Sequence, residues 1–289
     1  MPTLLHSLHM TLLAARNALD YPLRRLMGYS RKGFRLAGGL NGSPDPVNLY
    51  AYLPGGQRER AVQLASGLLA RYDLARLAAD ATPTNFRENL FYLHMLENAL
   101  NACPPILPDG VLAADIGASH WFYVQALHAL ISGWMAPTPR RVRLTGYETD
   151  PHRVYADGYS RMDHAVAHMR GLPGLTYTPS AFVEKPQTLH LCTMLFPFVF
   201  VEDHLRWGLP RGAFNPQGGL LAAWHSLAPG GLLIIANQGE AEHTAQRRML
   251  DELSIPVSAA FHQDPLLFAY PLERYVLCAL KPSTYTPPF

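Results

Sequence analysis

Val111-Leu-Ala-Ala-Asp115-Ile-Gly117-Ala-Ser119-His120 is the stretch on which the reading of the fold turns. Residues 111–114 are apolar without interruption, as in a parallel strand covered on both faces. Asp115 follows at the carboxyl end of that strand. Gly117 then opens a turn whose backbone angles other residues adopt only with strain. Phe122, Ala126, Leu127 and Leu130 recur at helical spacing and predict a helix from 121 to about 131. A small polar ligand in this crevice would meet free backbone N–H groups and one fixed carboxylate.

The dinucleotide fingerprint asks for three glycines, G-x-G-x-x-G. Counting from Gly117, the second glycine position holds Ser119 and the third holds Phe122. A phenylalanine there blocks the close helix–strand packing that seats a pyrophosphate, which argues against NAD or FAD. What remains is an acid two residues before a glycine, followed by small residues. This resembles motif I of the class I S-adenosylmethionine-dependent methyltransferases. The resemblance implies that Asp115, Gly117 and Ser119 hold the methionine end of that cofactor.

Working outward, Val142 and Leu144 give a second strand that ends in Gly-Tyr-Glu148-Thr-Asp150-Pro151. An acid at the end of a second parallel strand is placed to accept a ribose diol. The same string resembles the methyltransferase pattern, which implies the ribose role for Glu148 and a lesser role for Asp150. Residues 152–169 read as a helix that Pro151 can open, and residues 175–182 as a third strand. The family's carboxylate near the end of that strand is absent. Ser180 is left to accept a hydrogen bond and Phe182 to pack on an adenine. Residues 188–194 read as a fourth strand, followed by Leu195-Phe-Pro-Phe198 at the cofactor crevice. No Asp or Asn precedes Pro197 and no second proline follows, so the Asp/Asn-Pro-Pro-aromatic motif of enzymes that methylate base amino groups is not met. A helix over 220–227, the turn Ala228-Pro-Gly-Gly231 and the apolar run 232–236 resemble the family's entry to its fifth strand. A helix from Glu240, a strand near Ala259 and a strand over 274–280 complete the pattern.

The resemblance covers about residues 106–282. It implies an α/β fold with a Rossmann-like seven-stranded methyltransferase sheet, helices on both faces, and a domain at 106–289. Residues 1–105 are distinct in pattern and mostly helical, a region suited to an acceptor lid or a dimer surface. Leu5, Leu8, Leu12, Ala15 and Leu19 predict a helix over 3–19. Asp20 and Pro22 are expected to end it and to start a short second helix to Met27. A further helix is predicted over 58–69, and Asn85 with Glu88 reads as another helix start.

With 48% hydrophobic and 16% charged residues, the 289-residue chain can bury a sizeable core. A net charge of +2 gives no bulk attraction to nucleic acid. Cys103, Cys192 and Cys278 are odd in number and far apart, which fits a reducing, cytoplasmic setting without a disulfide framework. The amino terminus lacks a basic leader. No run approaches the ~18 apolar residues of a membrane span, and no membrane partner is expected. Asn41-Gly-Ser43 matches a glycosylation acceptor but reads as an ordinary turn.

Methyl transfer from a sulfonium is an in-line displacement, so a base is needed only where the acceptor atom carries a proton. By resemblance the acceptor sits past the fourth strand, near Phe198, Glu202, Asp203, His204 and Trp207. His204 is the catalytic candidate and Asp203 its neighbour, although adjacent helical residues diverge. His164 and His168 are four apart on a predicted helix, with no third ligand nearby, so no metal is expected. Arg24, Arg25, Arg31, Lys32 and Arg35 form a basic run that suits RNA or an anionic acceptor. The expected activity is methyl transfer from S-adenosylmethionine to an O or N atom of a small-molecule acceptor, with a homodimer allowed. The alternatives are an RNA or protein methyltransferase that uses the basic run, or a non-catalytic cofactor-binding scaffold of the same fold.

Overall fold

A computed structural model describes residues 4–36, 38–40 and 44–283; Asn41-Gly-Ser43 and the side chain of Leu5 lie outside them. The amino-terminal part holds α1 (Leu4–Met27), α2 (Pro46–Leu49), α3 (Gly55–Arg71), α4 (Ala75–Asp80) and α5 (Pro83–Ala102). Then follow β1 (Gly110–Ile116), α6 (Val124–Gly133), β2 (Arg141–Tyr147), α7 (Arg161–Met169), β3 (Leu175–Thr178), β4 (Leu189–Leu195) and α8 (Val201–Arg206). The chain continues through α9 (Pro216–Ser226), β5 (Leu227–Gln238), α10 (Gly239–Glu252), β6 (Ala259–Gln263) and β7 (Arg274–Leu280).

The strands form one sheet in the order β3-β2-β1-β4-β5-β7-β6. Strands β1 to β5 pair in parallel, and β7 runs antiparallel to both β5 and β6. This is the seven-stranded Rossmann-like methyltransferase sheet. The order reverses at β1, so the crevice between β1 and β4 opens at the carboxyl ends of the strands, where ligands bind in such sheets.

The two faces of the sheet follow the period-2 alternation of its strands. Leu232 and Ile234 of β5 join Val276 and Cys278 in a core shared with α3, α5 and α6. Leu233 and Ile235 face the other way, into a core with Trp224 and Leu250 of α9 and α10. The first core runs without a break from Leu49 to Cys278. It therefore crosses residue 105, and α5 is a full member of one face of the sheet.

Several boundaries differ from the sequence reading, each for a local reason. One helix runs from Leu4 to Met27 with Pro22 inside it. The residues on either side of the proline are tied to the rest of the molecule: Asn17 donates to the carbonyls of Leu205 and Leu209, and Arg24 pairs with Asp150. These anchors outweigh the backbone bond that proline removes. Thr82, not Asn85, caps α5, with Pro83 at the first helical position and the Asn85 N–H donated to the Thr82 hydroxyl. Helix α7 starts nine residues later than predicted, because Ser160 and Asp163 form a capping box there and Gly158 takes a positive φ. β3 ends at Thr178, four residues early. The turn at 228–231 is a bulge within β5, where the register against β4 shifts. Gly230 takes a φ of +77°, a conformation that favours glycine.

Candidate functional site

A cavity of about 770 Å³ opens at the carboxyl ends of β1, β2 and β4, the size range of small-molecule sites. One wall is the turn after β1. Gly117 is there with φ +84° and Ser119 with φ +51°. The first three N–H groups of the turn are already bonded. Gly117 and Ala118 both donate to the carbonyl of Tyr147, and Ser119 donates to Oε2 of Glu148 at 2.9 Å. Donors turned inward in this way do not cradle a phosphate.

Asp115 departs from its expected role. It is fully buried and is not part of the cavity wall. Its Oδ2 accepts from Trp121 Nε1 at 2.6 Å and from Tyr123 Oη at 2.7 Å, and its Oδ1 accepts from Thr193 at 2.6 Å. Burial pushes its carboxyl up to about 6, against the pull of these three donors. Asp115 therefore braces the turn from behind the wall. Trp121, with φ +52°, lies flat against β2, where a Cβ on Gly146 would come within 2.8 Å of its ring. This inserted tryptophan delays the start of α6 to Val124.

Glu148 lines the cavity at the end of β2. Its Oε1 accepts from the Asp150 N–H at 2.7 Å, and Arg161 Nη1 is 3.5 Å away. A carboxylate has about four lone-pair sites, so Oε2, which holds only the Ser119 N–H, keeps capacity for another donor. Asp150 is also displaced from its expected role: it is fully buried, outside the cavity wall, and bonded through both oxygens to Arg24. Arg161, itself buried, lies within 3.9 Å of Asp150 and over the Trp207 ring at 4.2 Å. One member of the basic run is thus an internal counter-ion. Ser180, Phe182 and Leu195 all reach the cavity wall. Phe182 meets Tyr147 edge-on at 5.0 Å, and the Ser180 hydroxyl donates to the Ala181 carbonyl.

Beyond β4 the wall continues through Phe198, Asp203, His204 and Trp207, while Glu202 is not part of it. Asp203 and His204 form no dyad. Asp203 accepts from Arg206 at 3.2 Å on a partly exposed surface. His204 Nε2 is 2.9 Å from the Pro210 carbonyl. A carbonyl only accepts, so Nε2 carries the proton and Nδ1 is left with a lone pair when the ring is neutral. Burial moves its titration below the usual histidine range.

The far end of the cavity holds residues that the sequence reading missed. Glu88 accepts from the Tyr270 hydroxyl at 2.6 Å, and burial raises its carboxyl above the usual range. Arg274 lies over the rings of Tyr270 at 3.9 Å and Phe196 at 4.8 Å. Tyr92 stacks on Tyr123 at 5.1 Å. Glu88 had an apparent capping role, which the cap at Thr82 removes. Its position with Tyr92 on α5 was the available signal. His164 lies 3.0 Å from Asp157, and no group of three metal-ligating side chains is present among the described residues.

No family model and no curated protein matches the chain. Among solved structures it is similar to a SAM-dependent methyltransferase from Aquifex aeolicus, at 14% identity over 75% of this chain and 97% of that one, with a TM-score of 0.47. It is also similar to a SAM-dependent methyltransferase from Leishmania major, at 12% identity over 80% of this chain and 88% of that one, with a TM-score of 0.47. A third is the N-methyltransferase NodS from Bradyrhizobium japonicum, at 14% identity over 68% of this chain and 98% of that one, with a TM-score of 0.43. Likenesses this distant do not carry function, and the assignment of the fold rests on the strand order described above.

Proposed function

We propose that the chain transfers a methyl group from S-adenosylmethionine to an O or N atom of a small-molecule acceptor. The observation that carries this reading is the continuity of the cavity, from Glu148 and the Gly117 turn to an aromatic chamber. The N–H groups of Gly117, Ala118 and Ser119 are already bonded, which suits a cofactor without phosphate and disfavours NAD. Glu148 would accept from the ribose, Phe182 and Leu195 would flank the adenine, and Ser180 would lie at its edge. Gly117 and Ser119 would bound the amino-acid end. Bound S-adenosylmethionine would supply a methyl group already activated on sulfur.

Phe196, Phe198, Trp207, Tyr92 and Tyr270 would hold a mostly apolar acceptor and exclude water. Where the acceptor atom carries a proton, His204 Nδ1 would take it, because Nε2 is held as a donor by Pro210. The orienting partner is then that carbonyl and not Asp203. The small-molecule reading is favoured over RNA because the aromatic chamber offers a large apolar contact with few polar groups.

Calorimetry with S-adenosylhomocysteine and with NAD tests the cofactor. The expected outcome is binding of the first and none of the second, with Glu148→Ala weakening the first by ~1–3 kcal/mol. Binding of NAD without S-adenosylhomocysteine would overturn the proposal.

A further inference from the structure

Helix α1 is held by one face only. Asn17, Tyr21 and Arg24 donate to the carbonyls of Leu205, Leu209, Thr149 and Gly208 and to the Asp150 carboxylate, so α1 lies on the outside of the α8 segment. The opposite face carries Leu8, Leu12, Leu19, Leu23 and Leu26, each between 53% and 84% exposed. At ~100° per residue these five fall within an arc of about 60°. They run along a helix of about 36 Å. A contiguous apolar stripe of this length on a surface helix marks a contact site, unlike scattered exposed leucines.

The same end of the molecule carries the basic run. Arg24 is occupied by Asp150, but Arg25, Arg31, Lys32 and Arg35 are exposed. No Asp or Glu occurs between residues 21 and 44. Arg31 rests over the Tyr159 ring at 4.8 Å, and Ser30 and the Arg31 N–H donate to Asp163, contacts that hold the loop that follows Leu23 and Leu26 against the domain.

We infer that α1 and the loop after it dock the protein on an anionic lipid surface, with the leucines at the acyl boundary and the cations among the headgroups. Surface attachment of this kind needs no membrane span, and among the described residues no helix is long and apolar enough to form one. Charge favours lipid over a second copy of the chain. An antiparallel pair would set the cations of one copy beside residues 4–9 of the other, which include no acid, and a parallel pair would align two basic ends. RNA would match the cations and leave the leucines in water. This inference does not depend on the methyl-transfer reading. It places the docked helix directly behind α8, whose residues wall the acceptor end of the cavity.

The test is co-sedimentation of the full chain with vesicles of phosphatidylcholine alone and of phosphatidylcholine mixed with phosphatidylserine. The protein is expected to pellet with the mixed vesicles, to be released by salt, and to ignore the neutral ones. The triple variant R25Q/K32Q/R35Q should lose about fivefold in affinity per cation, on the order of a hundredfold in all. L19N/L23N/L26N should abolish pelleting while its circular dichroism and thermal midpoint stay near those of the parent. Failure to pellet with the mixed vesicles overturns the inference. So does equal affinity for both vesicle types, or a leucine variant that turns a dimer into a monomer in sedimentation velocity while still pelleting. Should the leucine variant fold poorly, the cation variant decides alone.

Discussion

Asp115 is a carboxylate engaged by a tryptophan, a tyrosine and a threonine. Its value to the fold is as an acceptor, not as a charge. Asp115→Asn keeps one oxygen for Trp121 and Tyr123 and turns its amide to the Thr193 hydroxyl, which can accept. We expect it to cost within about 1 kcal/mol. Asp115→Leu strands three buried donors and should cost about 1–3 kcal/mol for each. Urea denaturation of the pair of variants separates the two cases. His204 makes the complementary prediction about chemistry. Its folded titration lies below the usual 6.5, so the ring is neutral, and a base, at neutral pH. Under the methyl-transfer reading, turnover of a protonated acceptor should be flat near pH 7 and fall only below pH 6.5. His204→Gln should lower kcat by ~10²–10⁴, and Asp203→Asn should leave the profile unchanged.

At the scale of elements, α1 is attached to the sheet domain by a few polar contacts, of which Arg24 with Asp150 is the strongest. Arg24→Ala leaves a buried carboxylate with Arg161 as its remaining cation, at 3.9 Å. Because the Arg24 side chain is a quarter exposed, we expect a loss of roughly 2 kcal/mol, below that of a fully buried pair. Thermal unfolding measures it. Amide exchange should show α1 released from α8 in the same variant. This pairing was not legible in the sequence, since 126 residues separate the partners and Arg24 reads as one of five similar cations. The strands were legible because their apolar runs are short, continuous and bounded by Gly or Pro. β1, β4 and β7 fall within two residues of expectation. The boundaries that moved, at Thr82, Trp121 and Ser160, were each decided by a tertiary packing partner or by a cap stronger than the one read. The cofactor end of the cavity was half legible. Gly117, Ser119 and Glu148 line the cavity, whereas Asp115 is drawn inward by Trp121, Tyr123 and Thr193 and Asp150 by Arg24. Glu88, Tyr270 and Arg274 were hidden because two unrelated segments, α5 and the approach to β7, bring them together.

At the scale of the whole molecule, the histidines decide how the fold responds to acid. Burial together with neighbouring cationic groups lowers His120 to about 4 and His168 to about 3. In the unfolded chain both titrate near 6.5. Between those values the unfolded state binds more protons, so stability is full above about pH 6.5 and is lost as pH falls toward 4 and below. Asp115 acts in the opposite sense. Its folded value of about 6 exceeds the unfolded 3.8, so acidification from pH 6 to 4 relieves its burial. Burial raises Glu88 and Glu242 in the same sense as Asp115, but it lowers His94, His128, His190, His204 and His243 along with His120 and His168, so the histidines leave a net loss. We expect the thermal midpoint to drop steadily from pH 6.5 to 4.5, and His168→Gln to flatten that decline.

The turn after β1 has one more consequence, for the company the protein keeps. Its three N–H groups at Gly117, Ala118 and Ser119 are bonded inward, to Tyr147 and Glu148. A nucleotide that sought the peptide nitrogens of residues 117–119 would find them taken, and would have to compete with Tyr147 and Glu148 for each one.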